Sequence, residues 1–356
     1  MNINVTLTTS PKEKPAPETL GFGKYFSDHM FIMDYTEGQG WHDARIVPYG
    51  PLALDPAAMV LHYGQAVFEG LKAYRAPDGR VLLFRARQNF SRLNRSDDRI
   101  CIPYLDEDMA LEALEALLRA EADWVPSAPG TSLYIRPFVI ANEPHLGVRP
   151  SAKYQFNIIL SPVGSYYPQG IKPIKILIED EYVRAVRGGI GFTKAAANYA
   201  ISLKGQEKAQ EMGYAQVLWL DGVVRKYIEE IGTTNAFFVI GGALVTPALG
   251  GSILPGITRD SVMTLAKSWG IDVQERLISA EELYEAHAAG RLDEAFASGT
   301  AAVISPIGEF SWGGRVITVG GGDIGPLAQK LYDTLTGIQY GRVADPFGWT
   351  TEVKPQ

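Results

Sequence analysis

Two spacings of hydrophobic residues alternate along the chain. Short runs rich in β-branched and aromatic residues predict strands at Arg80–Arg85 (RVLLFR), Ser132–Ile140 (SLYIRPFVI) and Tyr154–Leu160 (YQFNIIL), and again at Ile174–Ile178, Ala215–Leu220 and Ala236–Ile240. Apolar residues at helical spacing predict helices over Asp106–Trp124, which opens with acidic residues, over the alanine-rich Lys194–Met212, over Thr258–Trp269 and near Leu327–Leu335. Ser279–Glu282 (SAEE) is a capping-box pattern that starts a further helix. Residues 1–19 are polar and proline-rich and are predicted to form a mobile arm. Between the strand predictions, GSYYPQGIKP at residues 164–173 has the prolines and glycines of a linker. The pattern therefore predicts a mixed α/β (α+β) fold with a smaller N-terminal α/β domain over 20–163 and a larger C-terminal domain over 174–356.

Length supports two domains, because 356 residues exceed the size at which a single core stops growing. Charge narrows the partners. A net charge of −7 argues against a nucleic acid or an anionic membrane surface, either of which selects a basic face. With Cys101 as the one cysteine, neither an intrachain disulfide nor a cysteine-based zinc site can form. The five histidines show no metal-ligand spacing such as HExxH, so no metal site is expected. The first residues lack the basic start and apolar run of a secretory signal, and the apolar stretch Ala236–Gly251 is broken by glycines and a proline. A cytoplasmic protein is expected.

Several short segments could carry chemistry. In Gly188–Tyr199 (GGIGFTKAAANY) Lys194 stands between glycines and alanines, where small neighbours let a large group approach. Apolar surroundings would depress its pKa and make it nucleophilic, as a Schiff-base lysine requires. From this segment alone a solvent-facing lysine at a helix start is the commoner outcome. Tyr227–Asn235 (YIEEIGTTN) places two carboxylates before a glycine, either to hold a cofactor's ring nitrogen or to lie solvated at a strand end. Leu254–Arg259 (LPGITR) feeds a helix whose first amides suit a phosphate, or form an ordinary cap. Ala297–Ala301 (ASGTA) offers either an anion nest or a plain strand-to-strand turn. Gly320–Gly325 (GGGDIG) fits the dinucleotide-binding glycine pattern only formally: the residues after it read as a helix and a tail, so a turn is expected.

The order of these segments is more specific than any one of them. HYGQAVFEGLKAYR, LFR, YIRPFVIANEPHLGV, GGIGFTKAAANY, IEEIGTTN, LPGITRDSV and SGTAA resemble, in this sequence, the branched-chain amino-acid aminotransferases, pyridoxal-phosphate enzymes of fold type IV with the D-amino-acid aminotransferase-like two-domain architecture. The resemblance runs from about Phe22 to Gly341 and is closer to the longer, eukaryotic-like branch. It implies pyridoxal 5'-phosphate bound covalently to Lys194 in the C-terminal domain, with Tyr199 beside the phenolic oxygen and Glu230, rather than Glu229, at the pyridine nitrogen. It assigns the phosphate to Arg85, the amides of Ile257 and Thr258, and the Thr300 hydroxyl, and adds Thr234 to the cofactor-binding set. Phe22, Phe68, Tyr134 and Tyr166 resemble the apolar and aromatic substrate wall, Arg136 a group for the distal carboxylate of glutamate, and Thr300–Ala301 the landing place of the substrate carboxylate. Tyr63, Leu146 and Val148 match residues supplied from a partner subunit, which implies a homodimer. Some longer-branch members carry a Cys-x-x-Cys pair where this chain has Ala302 and Ser305, so thiol redox regulation is absent at those positions.

The implied activity is reversible, ping-pong transamination of L-leucine, L-isoleucine and L-valine with 2-oxoglutarate. A D-amino-acid aminotransferase or an aminodeoxychorismate lyase is the alternative on the same fold, and a cofactor-binding protein without turnover the alternative outside enzymes. The YIRP and EPHLGV stretches favour the branched-chain reading.

Overall fold

The structure is a computed structural model that describes residues 1–166 and 170–354. The chain divides into two compact units. The first comprises Met1–Pro168, Thr193–Ala197 and Gly337–Gln356, and the second Gln169–Phe192 and Asn198–Thr336. The expected linker at 164–173 spans that division, although residues 167–169 lie outside the described residues. Two later segments, the one around Lys194 and the C-terminal tail, belong to the first unit rather than to the predicted C-terminal domain.

In the first unit, strands β1 (Asn4–Val5), β2 (His29–Thr36), β3 (Gly40–Pro48), β4 (Ala66–Phe68), β5 (Leu71–Arg75), β6 (Val81–Phe84), β7 (Ser132–Ala141) and β8 (Lys153–Val163) form one sheet with the C-terminal strand Thr350–Glu352. The order is β1-β3-β2-β8-β7-β5-β6 and then the C-terminal strand, with β4 paired to β7. Three helices accompany it: α1 (Met59–Tyr63), α2 (Ala86–Arg99) and α3 (Glu107–Ala120). The Asp106 carboxylate caps α3 by accepting from Met109 N–H at 2.9 Å. The helix stops at Ala120, and the residues expected to continue it make a 3-10 turn at Ala122–Trp124. Phe90 and Leu93 of α2 and Leu114 and Leu117 of α3 pack with Phe31, Ile135 and Phe156 of the sheet as one buried apolar cluster.

The segment expected to be mobile, residues 1–19, is tied down through its first dozen residues. Asn4 and Val5 pair with β3, and Thr8 N–H donates to His29 Nε2 at 2.8 Å. Lys12 N–H donates to Asp28 at 2.8 Å, and the N-terminal ammonium meets Glu112 at 2.9 Å. Most of these bonds use main-chain groups, to which composition is blind.

In the second unit the strands are β9 (Ile174–Glu179), β10 (Gln216–Leu220), β11 (Ile228–Ile231), β12 (Thr234–Ile240), β13 (Ala243–Pro247), β14 (Val273–Arg276), β15 (Leu292–Gly299), β16 (Val303–Trp312) and β17 (Arg315–Thr318). The order β11-β10-β9-β16-β15-β12 returns to β11, because β11 pairs with β12 as well as with β10, so six strands form a closed ring. All six contribute to one apolar cluster, through Ile176, Leu218, Ile231, Phe238, Ala297 and Phe310 among others. The helices are α4 (Ala197–Ala200), α5 (Leu203–Glu211), α6 (Ile257–Ser268), α7 (Ala280–Ala288) and α8 (Pro326–Gln339). Ser279 caps α7 by accepting from Glu282 N–H at 3.0 Å, as the SAEE pattern predicts. Gly320–Gly322 is a tight turn ahead of α8, consistent with the turn expected for GGGDIG.

The helix predicted over Lys194–Met212 is not continuous. Ala195 bridges Val67 of β4, and helical structure starts only at Ala197, in two pieces. Alanine-rich composition favours a helix, but backbone pairing with β4 takes the main-chain groups that a first helical turn would need. Among the described residues, no helix is long and apolar enough to cross a membrane.

Candidate active site

Lys194 is half-buried and held by its main chain on both sides. Its N–H donates to Ser96 Oγ at 2.9 Å, and its carbonyl accepts from Phe68 N–H at 3.1 Å. Its ammonium nitrogen lies 4.6 Å from the centre of the Phe68 ring. The guanidinium of Arg136 lies at the same distance, 4.6 Å, from that ring. Arg136 also donates to Tyr134 Oη at 3.1 Å, and Phe22 meets the Tyr134 ring edge-on at 4.8 Å. Phe22, Phe68, Tyr134 and Arg136, four residues singled out for a substrate wall, are therefore brought together beside the lysine. Gly70 completes the wall by absence: a Cβ there would stand 2.1 Å from Tyr134 Oη.

Beneath this wall α2 presents polar groups to the interior. Glu69 is fully buried, and Arg92 clamps it with Nε at 2.7 Å and Nη2 at 2.9 Å. Asn89 Nδ2 adds a bond at 2.8 Å and Gly70 N–H another at 3.1 Å. Burial pushes the Glu69 carboxyl up, but Arg92, then Lys194 and Asn89, outweigh it and hold Glu69 below its usual range. Asp97, on the same helix, has neither carboxyl oxygen hydrogen-bonded among the described residues. Burial first, and the nearby Glu69 charge second, push its pKa well above the usual carboxylate range. Arg85 heads α2 in the left-handed conformation (φ 52°), which is costly for a residue with a Cβ. Its N–H donates to the Trp349 carbonyl at 2.7 Å and its guanidinium stacks 5.3 Å from the Trp349 ring centre.

In the second unit the β11–β12 hairpin places the acidic pair. Alternation along β11 turns Glu229 and Glu230 to opposite faces, and both are buried. Glu230 Oε2 pairs with Arg184 Nε at 2.8 Å, while Oε1 accepts from Leu254 N–H at 3.2 Å and Asn235 Nδ2 at 3.3 Å. Asn235 also donates to the Leu254 carbonyl at 2.9 Å, which fixes the hairpin to the loop before α6. Glu229 accepts a short hydrogen bond from Ser252 Oγ. Burial raises its pKa to about 7, against the opposing pulls of Ser252 and Arg184. Thr234 spends its hydroxyl on the Ile231 carbonyl at 2.6 Å, closing the hairpin.

Gly256 caps α6, so LPGITR feeds a helix as expected. Ile257 and Thr258 are the first two residues of a 12-residue helix, so their amides point out of its positive end. A Cβ at Gly256 would sit 2.0 Å from Asn235 Oδ1, which explains the glycine. Thr300 and Ala301 form the turn between β15 and β16, both half-buried, and Val303 just beyond them is left-handed (φ 63°). Tyr199 lies in the short helix α4, half-buried, and its neighbour Asn198 is anchored to the Ile190 carbonyl at 2.8 Å. Ala302 and Ser305, in place of a cysteine pair, are both buried.

Five predicted substrate residues are exposed: Phe22, Tyr63, Leu146, Val148 and Tyr166. Tyr63 Oη donates to the Leu146 carbonyl, so those two stand together, and Val148 is 85% exposed. Sequence reasoning missed Arg184, the Glu69–Arg92 pair, Ser96 and Asn235. Arg184 had a signal, as a charged residue beside the glycine cluster in YVRAVRGGIG. Glu69 and Asn235 lie inside the quoted motifs HYGQAVFEGLKAYR and IEEIGTTN without having been singled out, and Arg92 and Ser96 lie on a segment whose pattern shows only ordinary polar residues.

The sequence matches the class IV amino-transferase family over residues 66–310. It is 60% identical over 351 residues to branched-chain-amino-acid aminotransferase 2 of Bacillus subtilis, covering 99% of this chain and 97% of that one. It is 61% identical over 343 residues to branched-chain-amino-acid transaminase 1 of the same organism, covering 96% of each. The crystal structure of Escherichia coli branched-chain amino acid aminotransferase superposes with a TM-score of 0.76 at 31% identity, over 92% of this chain and 99% of that one. The branched-chain aminotransferase of the thermophilic archaeon Thermoproteus uzoniensis with norvaline superposes with a TM-score of 0.74 at 28% identity, over 92% and 100%. With matches over nearly its whole length, this chain belongs to the class IV aminotransferases and, within them, to the branched-chain-amino-acid aminotransferases.

Proposed function

We propose that the protein transfers amino groups between L-leucine, L-isoleucine or L-valine and 2-oxoglutarate, with pyridoxal 5'-phosphate carried on Lys194. The carrying observation is the meeting of the Lys194 amine and the Arg136 guanidinium on one aromatic ring, Phe68, beside Tyr134 and Phe22. A nucleophile, an apolar wall and one cation are what a substrate with an α-amino group and either an aliphatic or an acidic side chain requires. Burying glutamate's distal carboxylate unpaired would be very costly, so Arg136 with Tyr134 Oη is the group that admits it.

The residues present fit the cofactor. Glu230 is a buried carboxylate paired with Arg184, which suits the protonated ring nitrogen of a pyridine. The start of α6 at Ile257 and Thr258 suits a phosphate, as does the cation of Arg85, with the Thr300 hydroxyl as a further donor. Ser298, on the strand leading to Thr300, has a buried hydroxyl with no hydrogen-bond partner among the described residues. When bound, the cofactor supplies an electron sink for the substrate α-carbon. Lys194 Nζ would hold the cofactor and, when free, would be the base that carries the substrate's α-proton. Glu230 keeps the ring nitrogen protonated, and Tyr199 donates toward the phenolic oxygen. Thr300 and Ala301 receive the substrate carboxylate.

Exposed Tyr63, Leu146 and Val148 support a homodimer in which each copy completes the other's substrate wall, and the proposal includes a cytoplasmic location. Lys194→Ala is expected to abolish both turnover of L-leucine and the absorbance of the lysine-bound cofactor. If both persist, the assignment fails. A panel of L-leucine, L-isoleucine, L-valine, D-alanine and aminodeoxychorismate tests substrate class, and activity confined to the D-amino acid would overturn it.

A further inference from the structure

The lysine's tether is a closed circuit of bonds within the first unit. Lys194 N–H donates to Ser96 Oγ at 2.9 Å, and Ser96 Oγ donates to the Arg92 carbonyl at 3.1 Å. The Arg92 guanidinium clamps Glu69, whose neighbour Phe68 donates its N–H back to the Lys194 carbonyl at 3.1 Å. Ala196 N–H donates to the Ala66 carbonyl at 3.0 Å, and Ala195 bridges Val67, so the chain on the far side of the lysine is fixed as well. Ser96 has one hydroxyl hydrogen, and the circuit uses it. Glu69 is a buried anion whose charge and that of Lys194 act on each other. Nothing in the transamination chemistry itself assigns a task to Ser96, Arg92 or Glu69.

We propose that Ser96 and Glu69 are positioning residues for Lys194: Ser96 pegs the lysine's main chain, and Glu69, held by Arg92, supplies a fixed negative charge that steadies the lysine nitrogen while it carries the α-proton. The inference rests on the reading of Lys194 as the cofactor lysine. In each catalytic cycle the amine must leave, move a proton and be recaptured. A fixed main chain limits that search to the side-chain torsions, which preserves the effective concentration of the amine at the reacting carbon.

The test compares holoenzymes carrying Ser96→Ala, Ser96→Thr and Glu69→Gln with the parent. Borohydride reduction and peptide mapping come first. Cofactor fixed elsewhere than Lys194 in the parent would overturn the lysine assignment and the inference with it. With the adduct on Lys194, Ser96→Ala is expected to lower kcat about 10-fold to 100-fold, with KM for L-leucine changed less than about twofold. Ser96→Thr keeps a hydroxyl that can bond the carbonyl four residues back, and is expected to recover most of the loss. Glu69→Gln is expected to move the midpoint of the pH titration of the cofactor absorbance down by about one unit, because loss of an anion disfavours the protonated form. Unchanged kcat in Ser96→Ala, or equal impairment in Ser96→Thr, would overturn the peg even if thermal stability falls. An unmoved midpoint in Glu69→Gln would overturn the charge. If Glu69→Gln does not fold, the Ser96 pair decides the proposal.

Discussion

Each unit of this protein buries a pair of carboxyl groups, and in each pair an arginine lies against one while burial disfavours the charge on the other. In the first unit Arg92 clamps Glu69, and burial raises the Asp97 carboxyl well above its usual range. In the second, Arg184 pairs with Glu230, and Glu229 is pushed up to about 7. The pairs differ in how their hydrogen bonds are spent. Glu69 takes four donors from its own surroundings, two of them from one guanidinium. That carboxylate is saturated, and its remaining influence is its charge. Glu230 pairs with one guanidinium nitrogen and accepts from two more distant donors at 3.2 Å and 3.3 Å. Two buried carboxylates, each beside an arginine, are thus held by different sets of donors.

The strongest break of this comparison removes the guanidinium from each side. Arg92→Leu and Arg184→Leu each leave a buried carboxylate without its counter-charge, and each is expected to lose about 3–5 kcal/mol in urea unfolding. The two should part in their pH behaviour. Arg184 is among the groups that hold Glu229 down, so its removal should shift the Glu229 midpoint above about 7, whereas Arg92→Leu should leave that midpoint unmoved. Identical pH profiles for the two variants would show that the units do not differ as described.

A smaller effect concerns the members whose charge burial disfavours. Glu229 has a folded-state pKa of about 7 against an ordinary 4.5. The folded protein therefore holds a proton that the unfolded chain has already released, and stability falls as pH rises from about 4.5 to 7. Glu229→Gln should abolish that fall and gain about 2–3 kcal/mol at pH 8 relative to the parent. Asp97→Asn should act in the same direction, because its carboxyl is also raised by burial. Stability measured from pH 5 to pH 8 reads both, and a slope unchanged by Glu229→Gln would refute the assignment.

The same contrast explains what could be read from the sequence. The ring of strands in the second unit was legible at β9, β10 and β12, where runs of Ile, Leu, Val and Phe fill its core. Helix α2 was not, because its buried positions include Asn89, Arg92, Ser96 and Asp97, which carry no hydrophobic period. A helix that turns polar groups inward to serve a lysine is invisible to a method that looks for apolar stripes. Lys194 and Glu230 were found through the order of short motifs, whereas their supports at Ser96 and Arg184 come from stretches joined only by the fold. The helix expected from Lys194 onward failed for the same reason, since β4 claimed the backbone that local propensity had assigned to a turn.

The finest distinction between the pairs is Ser252. Among the described residues, Asp97 has no hydrogen-bond donor at its carboxyl oxygens, whereas Glu229 accepts from Ser252 Oγ, and that bond is among the pulls holding its pKa down to about 7. A hydroxyl bond to a charged oxygen contributes about 1.5–3 kcal/mol, and one to a neutral oxygen about 0.5–1.5 kcal/mol. Ser252→Ala should therefore cost little at pH 5, where Glu229 is protonated, and about 1 kcal/mol more at pH 8, where it is ionised. The Glu229 midpoint should move upward by the same linkage. The double variant Ser252→Ala/Glu229→Gln should lose this pH dependence, because its partner no longer titrates. A cost for Ser252→Ala that is equal at pH 5 and pH 8 would mean that Ser252 packs beside Glu229 without tuning its charge, and the second pair would then resemble the first.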